Sequence, residues 1–206
     1  MPNTDRVTAA TPGQRRPLLL TWQGVGAPRL ESARLLLSDN RRLRAAGRMI
    51  APRTRETEAF NATYDVTVGE NGVVKRVFLH SITAEVERQL SFSRSDDGFW
   101  LMDRGQGAQR TQFDGAAEVD VQHCVLFNTL PVRRLNLHRE AGEHDLPIAY
   151  VSLPDLTVEI KRQSYRTVSV GESTSVVNYS SEGFSSDITV DPDGIVVDYP
   201  EIARQI

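Results

Sequence analysis

Two carboxylates one residue apart, Glu118 and Asp120, are the side chains in this sequence best suited to acid–base chemistry. In a β-strand they would share one face, with Cβ atoms about 7 Å apart, because side chains alternate along a strand. Such a pair can transfer protons, contact a ligand or neutralise a neighbouring arginine. We favour the ion pair and keep the ligand and catalytic roles as alternatives.

Two adjacent arginines, Arg133 and Arg134, are the natural partners for these carboxylates. They lie between apolar residues in Phe127-Asn128-Thr129-Leu130-Pro131-Val132-Arg133-Arg134-Leu135. If the end of this segment forms a strand, the two side chains point to opposite faces and one points inward. An inward guanidinium is costly unless it meets a carboxylate, carbonyl groups or an anionic ligand. The segment therefore predicts either a buried ion pair or a polar group that lines a cavity.

Nucleophilic and metal chemistry have little support in the sequence. Cys124, the only cysteine, directly follows His123, and neighbours in a strand point to opposite faces, so this histidine is poorly placed to activate the thiol. The four histidines show no His-x-x-x-His spacing. Asp191-Pro192-Asp193-Gly194 resembles the start of a calcium loop but lacks the later glutamate, which indicates a turn. We predict no catalytic residue, no metal and no cofactor.

Charge is unevenly distributed along the chain, whose net charge is −3. Residues 29–55 contain eight arginines against Glu31 and Asp39, whereas residues 142–206 contain four basic and eleven acidic residues. The two regions could attract each other across the fold, or the first could form a basic surface for anionic headgroups or nucleic acid. Since no helix-turn-helix pattern or aromatic RNA-binding motif accompanies it, we predict no nucleic-acid partner.

The sequence shows no signal peptide and no membrane span. Residues 1–16 are polar and lack the apolar core of a signal peptide. No apolar run approaches the roughly 20 residues that cross a bilayer. We expect a disordered tail over residues 1–16, one domain over residues 17–206, and a cytoplasmic protein without stable membrane insertion.

Strand signals dominate the remaining sequence. Alternation with period two marks residues 64–68, 77–80, 83–93 and 156–160. Hairpins are predicted around Glu70-Asn71-Gly72, Asp96-Asp97-Gly98 and Pro192-Asp193-Gly194, because Asn-Gly and Asp-Gly tolerate the positive φ of tight turns. Residues 31–47 contain good helix formers, but Ser38-Asp39-Asn40 favours a hairpin of residues 33–37 and 43–50. These patterns predict an all-β antiparallel meander with little helix.

Five segments of the sequence match the motifs of one known family. They are Asn128-Thr129-Leu130-Pro131-Val132-Arg133-Arg134-Leu135, Glu118-Val119-Asp120-Val121, Tyr150-Val151 with Pro154 and Leu156 followed by Gln163-Ser164-Tyr165, Tyr179-Ser180 with Phe184, and residues 190–200, VDPDGIVVDYP. In order and spacing, residues 20–203 resemble the bacterial family described as putative glycolipid-binding, once a domain of unknown function. One departure is Cys124-Val125-Leu126-Phe127, where the family usually has T-P-x-T.

The resemblance implies a single large antiparallel sheet rolled into a spiral or half-barrel around an apolar cavity, similar in shape to the half-barrels of lipoprotein carriers. It also implies an amphipathic ligand, a glycolipid. A lipid tail can occupy what side chains leave unfilled, and polar and aromatic groups near the mouth suit a sugar or phosphate head. Our candidate ligand residues are Trp22, Trp100, Glu118, Asp120, Asn128, Arg133, Arg134, Tyr165 and Tyr199.

Three functional hypotheses follow from the sequence. The preferred one is a non-enzymatic binding protein for an amphipathic small molecule or glycolipid. The second is an enzyme that uses Glu118 and Asp120 as acid and base, which predicts a carboxylate with a raised pKa in a cleft. The third is a ligand-free scaffold or homo-oligomer whose cavity is filled by side chains.

Overall fold

The computed structural model describes residues 16–38 and 41–206. The predicted tail lies outside these residues except for Arg16, which begins the first strand. The strands are β1 (Arg16–Gly24), β2 (Leu30–Leu37), β3 (Leu43–Ala51), β4 (Phe60–Val68), β5 (Val74–Ile82), β6 (Glu87–Arg94), β7 (Trp100–Asp103), β8 (Gln109–Thr111), β9 (Glu118–Val121), β10 (Glu143–Val151), β11 (Val158–Ser169), β12 (Ser175–Ser181), β13 (Phe184–Val190), β14 (Val196–Tyr199) and β15 (Ala203–Gln205). Helix α1 (Val125–Arg134) and a 3-10 turn (Phe113–Gly115) complete the elements of these two ranges.

All of these strands belong to one sheet, in the order β8-β7-β6-β5-β4-β3-β2-β1-β15-β14-β13-β12-β11-β10-β9. Neighbouring strands are antiparallel, except that β9 runs parallel to β10. The two edge strands, β8 and β9, follow each other in the chain, so the sheet rolls until its edges approach but does not close. The prediction of an all-β fold with one large rolled antiparallel sheet is confirmed.

Side chains hold the two edges of the rolled sheet together. Trp100, on β7, is fully buried and donates its indole N–H to the Ala116 carbonyl, 2.8 Å away and just before β9. The Arg88 guanidinium lies 3.2 Å from the Asp155 carboxylate, and Arg104 donates to the Leu156 carbonyl at 2.8 Å. Trp100 therefore has a structural partner where the two edges of the sheet approach each other.

The hairpins predicted from Asn-Gly and Asp-Gly turns are confirmed as β4–β5, β6–β7 and β13–β14. The hairpin of residues 33–37 and 43–50 is also confirmed as β2–β3, although its Asp39-Asn40 turn lies outside the described residues. Two strand predictions were too long. β6 begins only at Glu87 because Thr83 and Val86 close a turn, and β11 begins at Val158 because Leu156 has a positive φ of 54°.

The strand predicted for residues 132–135 is wrong, because this segment is the end of α1. The first eight residues of the helix, 125–132, are all buried. A helix enclosed on every side has no polar face, so its sequence lacks the 3.6-residue period that distinguishes a helix from a buried strand. Pro131 lies inside the helix. Because proline usually disrupts a helix interior, its presence also favoured a non-helical prediction.

Both ends of α1 are satisfied by specific groups. At its start, the buried Glu31 carboxylate on β2 accepts the backbone N–H groups of Val125 at 2.6 Å and Leu126 at 3.4 Å. At its end, Asn136 adopts a positive φ of 60°, and the next N–H, of Leu137, returns to the Val132 carbonyl at 3.0 Å. The latter arrangement is the Schellman termination of a helix. Glu31 therefore binds α1 to the inner face of the sheet.

Glu31 should make the stability of the protein fall as the pH rises. Burial raises its pKa to about 7, although the Tyr64 hydroxyl and the α1 amides oppose this shift. Because the folded-state pKa exceeds the unfolded one, the contribution to stability is complete below about pH 4.5 and is lost as the pH rises through about 7. We expect Glu31→Gln, which resembles the neutral acid, to gain about 3 kcal/mol relative to wild type between pH 4.5 and pH 8. Urea unfolding of both proteins at the two pH values measures this difference, and parallel pH profiles would contradict it.

Candidate functional site

Arg133 and Arg134 have different structural partners. Arg134 donates to the carboxylate of Glu118, whose side chain is 2% exposed. Burial raises the pKa of Glu118, and the guanidinium of Arg134 opposes that shift. Arg133 donates instead to the backbone carbonyl of Asp193 in the β13–β14 turn. The favoured ion pair is therefore present, between Glu118 and Arg134, and both arginines hold the end of α1 in place.

A pocket of about 280 Å³ lies between the last strands of the sheet and the interior. Asp120 on β9 lies beside Tyr150 on β10, because the parallel pairing of these strands places the two residues opposite each other. The following strands supply most of the remaining wall. The lining residues are Asp120, Val121, His123, Asn128, Tyr150, Lys161, Tyr179, Ser181, Glu182, Phe184, Tyr199 and Ile202.

Hydrogen bonds between buried polar groups orient Asp120 at this pocket. Gln163 donates its amide N–H to Asp120 Oδ2 at 2.6 Å. The Tyr165 hydroxyl donates to Gln163 Oε1 at 3.1 Å and accepts the amide N–H of Asn128, on α1, at 3.0 Å. Gln163 and Tyr165 are two apart on β11 and so face the same side of the sheet. The network fixes the carboxylate at the wall of the pocket.

Aromatic rings form one side of the pocket. The Tyr179 ring lies 5.9 Å from Tyr199 and 6.1 Å from Phe184, measured between ring centroids. It also packs edge-on against Tyr165 at 5.3 Å. The register explains this cluster, since Tyr165 is opposite Tyr179 and Ser181 is opposite Phe184 in neighbouring strands. Rings held by their neighbours offer flat apolar faces next to phenolic hydroxyls.

The electrostatics of the pocket centre on Asp120. Burial raises its pKa to about 6, and the hydrogen bond from Gln163 opposes the shift. Burial also raises the pKa of Tyr150, Tyr179 and Tyr199, with the Asp120 charge as a further cause for each, so the three hydroxyls stay neutral. Lys161 lies 4.5 Å from the Tyr150 ring centroid and 3.5 Å from the Glu182 carboxylate. The pocket thus combines a buried carboxylate, neutral hydroxyls and one ammonium group.

The structure separates the predicted ligand residues into two groups. Asp120, Asn128 and Tyr199 line the pocket, and Tyr165 lies directly behind its wall. The others do not line it. Trp22 is fully buried and donates to the Val196 carbonyl at 2.8 Å, while Trp100, Glu118, Arg133 and Arg134 have the structural partners described above.

Nine of the twelve residues that line the pocket were not among the candidates, including Tyr150, Lys161, Tyr179 and Phe184. Tyr150, Tyr179 and Phe184 belong to the family motifs, so that resemblance was the signal that could have found them. Lys161 carried no such signal. Only the strand register shows that it shares the inner face of β11 with Gln163 and Tyr165.

Metal binding has no visible site in the residues that the structure describes, since none of them form a cluster of three His, Cys, Asp or Glu side chains. His123 and Cys124 do not lie in a strand as the sequence suggested. His123 has a positive φ of 62°, and the buried Cys124 precedes the first residue of α1. In the same described ranges, no helix has the length and apolar character needed to cross a bilayer.

The fold and pocket define a class of β-barrel-like protein built from one open rolled sheet. The chain belongs to the family described as "Putative glycolipid-binding", whose model matches residues 19–205. The motif resemblance seen in the sequence is therefore confirmed.

Solved structures share this fold. A DUF1089 family protein from Pseudomonas aeruginosa is 21% identical, with a TM-score of 0.67 and coverage of 100% of both chains. A beta-barrel-like protein of the domain of unknown function DUF1849 from Brucella abortus is 6% identical, with a TM-score of 0.53 and coverage of 96% of this chain and 98% of that one. No curated protein matches the sequence significantly.

Proposed function

We propose that this protein is a non-enzymatic binding protein for an amphipathic ligand of the glycolipid type, and that the pocket at Asp120 holds the sugar head. The observation that supports this most is the pairing of an oriented buried carboxylate with the Tyr179–Tyr199 aromatic wall. A sugar presents hydroxyl groups that can donate hydrogen bonds to the Asp120 carboxylate, and C–H faces that pack on aromatic rings. The family description agrees with this class of ligand.

The size of the pocket favours the head of the ligand over its tail. At about 280 Å³ it lies just below the usual range for sites that enclose a drug-sized ligand. The interior of the rolled sheet is occupied by the buried residues of α1. Ile202 lines the pocket, and Val25, which is 59% exposed, donates its backbone N–H to the Ile202 carbonyl. An alkyl chain leaving the pocket on this side would meet the Ile202 side chain.

Octyl glucoside, titrated below its micelle concentration, tests this function. We expect it to bind at the pocket more tightly than glucose, because the octyl chain buries additional apolar surface. Asp120→Asn should weaken binding at pH 7.5 by about tenfold or more, since a hydrogen bond to an ionised acceptor is lost. Wild-type affinity should also fall as the pH drops below about 6, where Asp120 takes up a proton.

The matched control is Asp187→Asn, which makes the same chemical change at an exposed residue of β13. This variant should bind octyl glucoside as wild type does and keep the same pH profile. Isothermal titration calorimetry measures all three proteins. Equal affinity of the Asp120→Asn variant and wild type at both pH values would refute the assignment of the head to this pocket.

A second candidate function, acid–base catalysis, has one specific observation in its favour. The enzyme hypothesis predicted a carboxylate with a raised pKa in a cleft, and Asp120 meets that description, whereas Glu118 is held by Arg134 away from the pocket. Proton transfer would then rest on Asp120 alone. Incubation with octyl glucoside distinguishes the candidates, because a binding protein returns the intact glycoside and a hydrolase releases glucose.

A further inference from the structure

The outer face of the sheet over β1–β5 carries an unusual combination of arginines and exposed aliphatic side chains. Its arginines are Arg34, Arg44, Arg48 and Arg76, all exposed. Its exposed aliphatic residues are Leu19, Leu30, Ile50 and Ile82, of which Leu19 is 75% exposed. Cross-strand register places Leu19 opposite Arg34, and it aligns Leu30, Ile50 and Ile82 in one row across the sheet, with Asn61 between the two isoleucines. We call these eight residues the basic outer face.

The charge of this face is opposite to that of the whole chain. Asp65 is the only carboxylate that faces outward within β1–β5 of the described residues, against four arginines. None of these four arginines forms an ion pair with another described side chain. The net charge of the chain is nevertheless −3. Positive charge is therefore concentrated on one broad surface, about 20 Å wide for five strands.

A depression of about 270 Å³ lies on the basic outer face, over β2, β3 and β4. Arg34 and Arg44 both line it, and Ala46, opposite Arg34 in the sheet, contributes only a small side chain there. Leu36 and Asp65 contribute to its rim. Two guanidinium groups beside a shallow recess suit a phosphate ester, since arginine matches phosphate oxygens in a planar, bidentate geometry.

We propose that the basic outer face docks this protein on the surface of an anionic lipid bilayer, with the lipid phosphates at Arg34 and Arg44. Arginines attract the negative surface, and the aliphatic side chains on the same face insert among the headgroups. Exposed leucine and isoleucine on the same face as the arginines favour a lipid surface over nucleic acid, because only the lipid offers an apolar layer to enter. The inference goes beyond the proposed function and does not depend on the pocket at Asp120, which lies on the other face of the sheet.

Vesicle co-sedimentation of the full chain tests the docking. Vesicles of phosphatidylcholine alone and of phosphatidylcholine mixed equally with phosphatidylglycerol are the probes. We expect binding only to the anionic vesicles, and a roughly 25-fold lower partition coefficient for Arg34→Gln/Arg44→Gln, because each arginine near such a surface contributes about fivefold. Leu19→Ser should weaken the part of the binding that persists at high salt.

The matched control is Arg162→Gln/Arg166→Gln, which removes two exposed arginines from β11, far along the sheet from this face. It should bind within about twofold of wild type, and all variants should keep the wild-type melting temperature. The proposal is overturned if wild type ignores anionic vesicles, or if both double variants lose binding equally. Binding of duplex DNA in preference to vesicles, or self-association that Arg34→Gln/Arg44→Gln abolishes, would assign the face to another partner and equally overturn it.

Discussion

Gly47→Ala should destabilise the protein by about 4 kcal/mol, although it adds only one methyl group. A Cβ atom at Gly47 would lie 2.2 Å from Cζ of the Tyr64 ring, which packs over this glycine from the neighbouring strand. Moving the ring would break the 2.6 Å hydrogen bond from the Tyr64 hydroxyl to Glu31 and the 5.2 Å contact of the ring with Phe127. The substitution would therefore remove one of the contacts that hold helix α1 against the sheet. Urea unfolding measures the change.

Two comparisons isolate the Tyr64 ring as the cause. Ala46→Val changes the adjacent residue of β3, which faces solvent, and should alter stability by less than about 0.5 kcal/mol. In a Tyr64→Ala background, adding Gly47→Ala should cost little, because the obstructing ring is gone. An equal cost of Gly47→Ala in both backgrounds would show that the ring is not the reason for the glycine.

Arg134→Met should cost about 3–5 kcal/mol at pH 8, because it leaves the Glu118 carboxylate buried without its partner. The cost should shrink towards about 1 kcal/mol near pH 4, where Glu118 can take up a proton and become neutral. Arg133→Met is the matched control. Its guanidinium donates to a backbone carbonyl, so we expect about 1 kcal/mol and little pH dependence. Denaturant unfolding of both variants at the two pH values gives the comparison.

The double variant Glu118→Leu/Arg134→Met, compared with its two single variants, gives a double-mutant cycle for the ion pair. Replacing both members of a buried ion pair by apolar residues is often close to neutral, so the double variant should recover most of the stability lost in Arg134→Met. If the two single changes add without recovery, Glu118 and Arg134 stabilise the protein independently. In that case the ion pair would not explain why Arg134 occupies its position at the end of α1.

The sheet could be predicted from the sequence because its signals are local. Alternating side chains and Asn-Gly or Asp-Gly turns depend on neighbours in the chain, and the hairpins β4–β5, β6–β7 and β13–β14 followed them. Helix α1 could not be predicted, because its surroundings come from distant strands that bury every side of it. The Glu31 carboxylate that caps it is 94 residues earlier in the sequence.

Residues of the candidate site could be predicted only where a single strand or a single sequence motif contained the signal. Asp120, Asn128 and Tyr199 were named from their types and from the family motifs, and they line the pocket. Trp22 and Trp100 were named for chemistry that suits a sugar, yet each satisfies its indole N–H on a buried backbone carbonyl. Residue type alone does not distinguish a core tryptophan from a binding one. Tyr165 and Tyr179 are brought together by the pairing of β11 with β12, and this pairing is visible only in the structure.

Native mass spectrometry tests the central claim, that the pocket at Asp120 holds an amphipathic ligand, most directly. The protein is purified without detergent, incubated with total lipid extract of the expression host, and compared with its Asp120→Asn and Asp187→Asn variants. We predict a discrete adduct on wild type and Asp187→Asn that is released on denaturation, has the mass of a sugar-bearing lipid, and is depleted in Asp120→Asn. Wild type that carries no adduct before or after this incubation, or equal occupancy in all three proteins, would contradict the account.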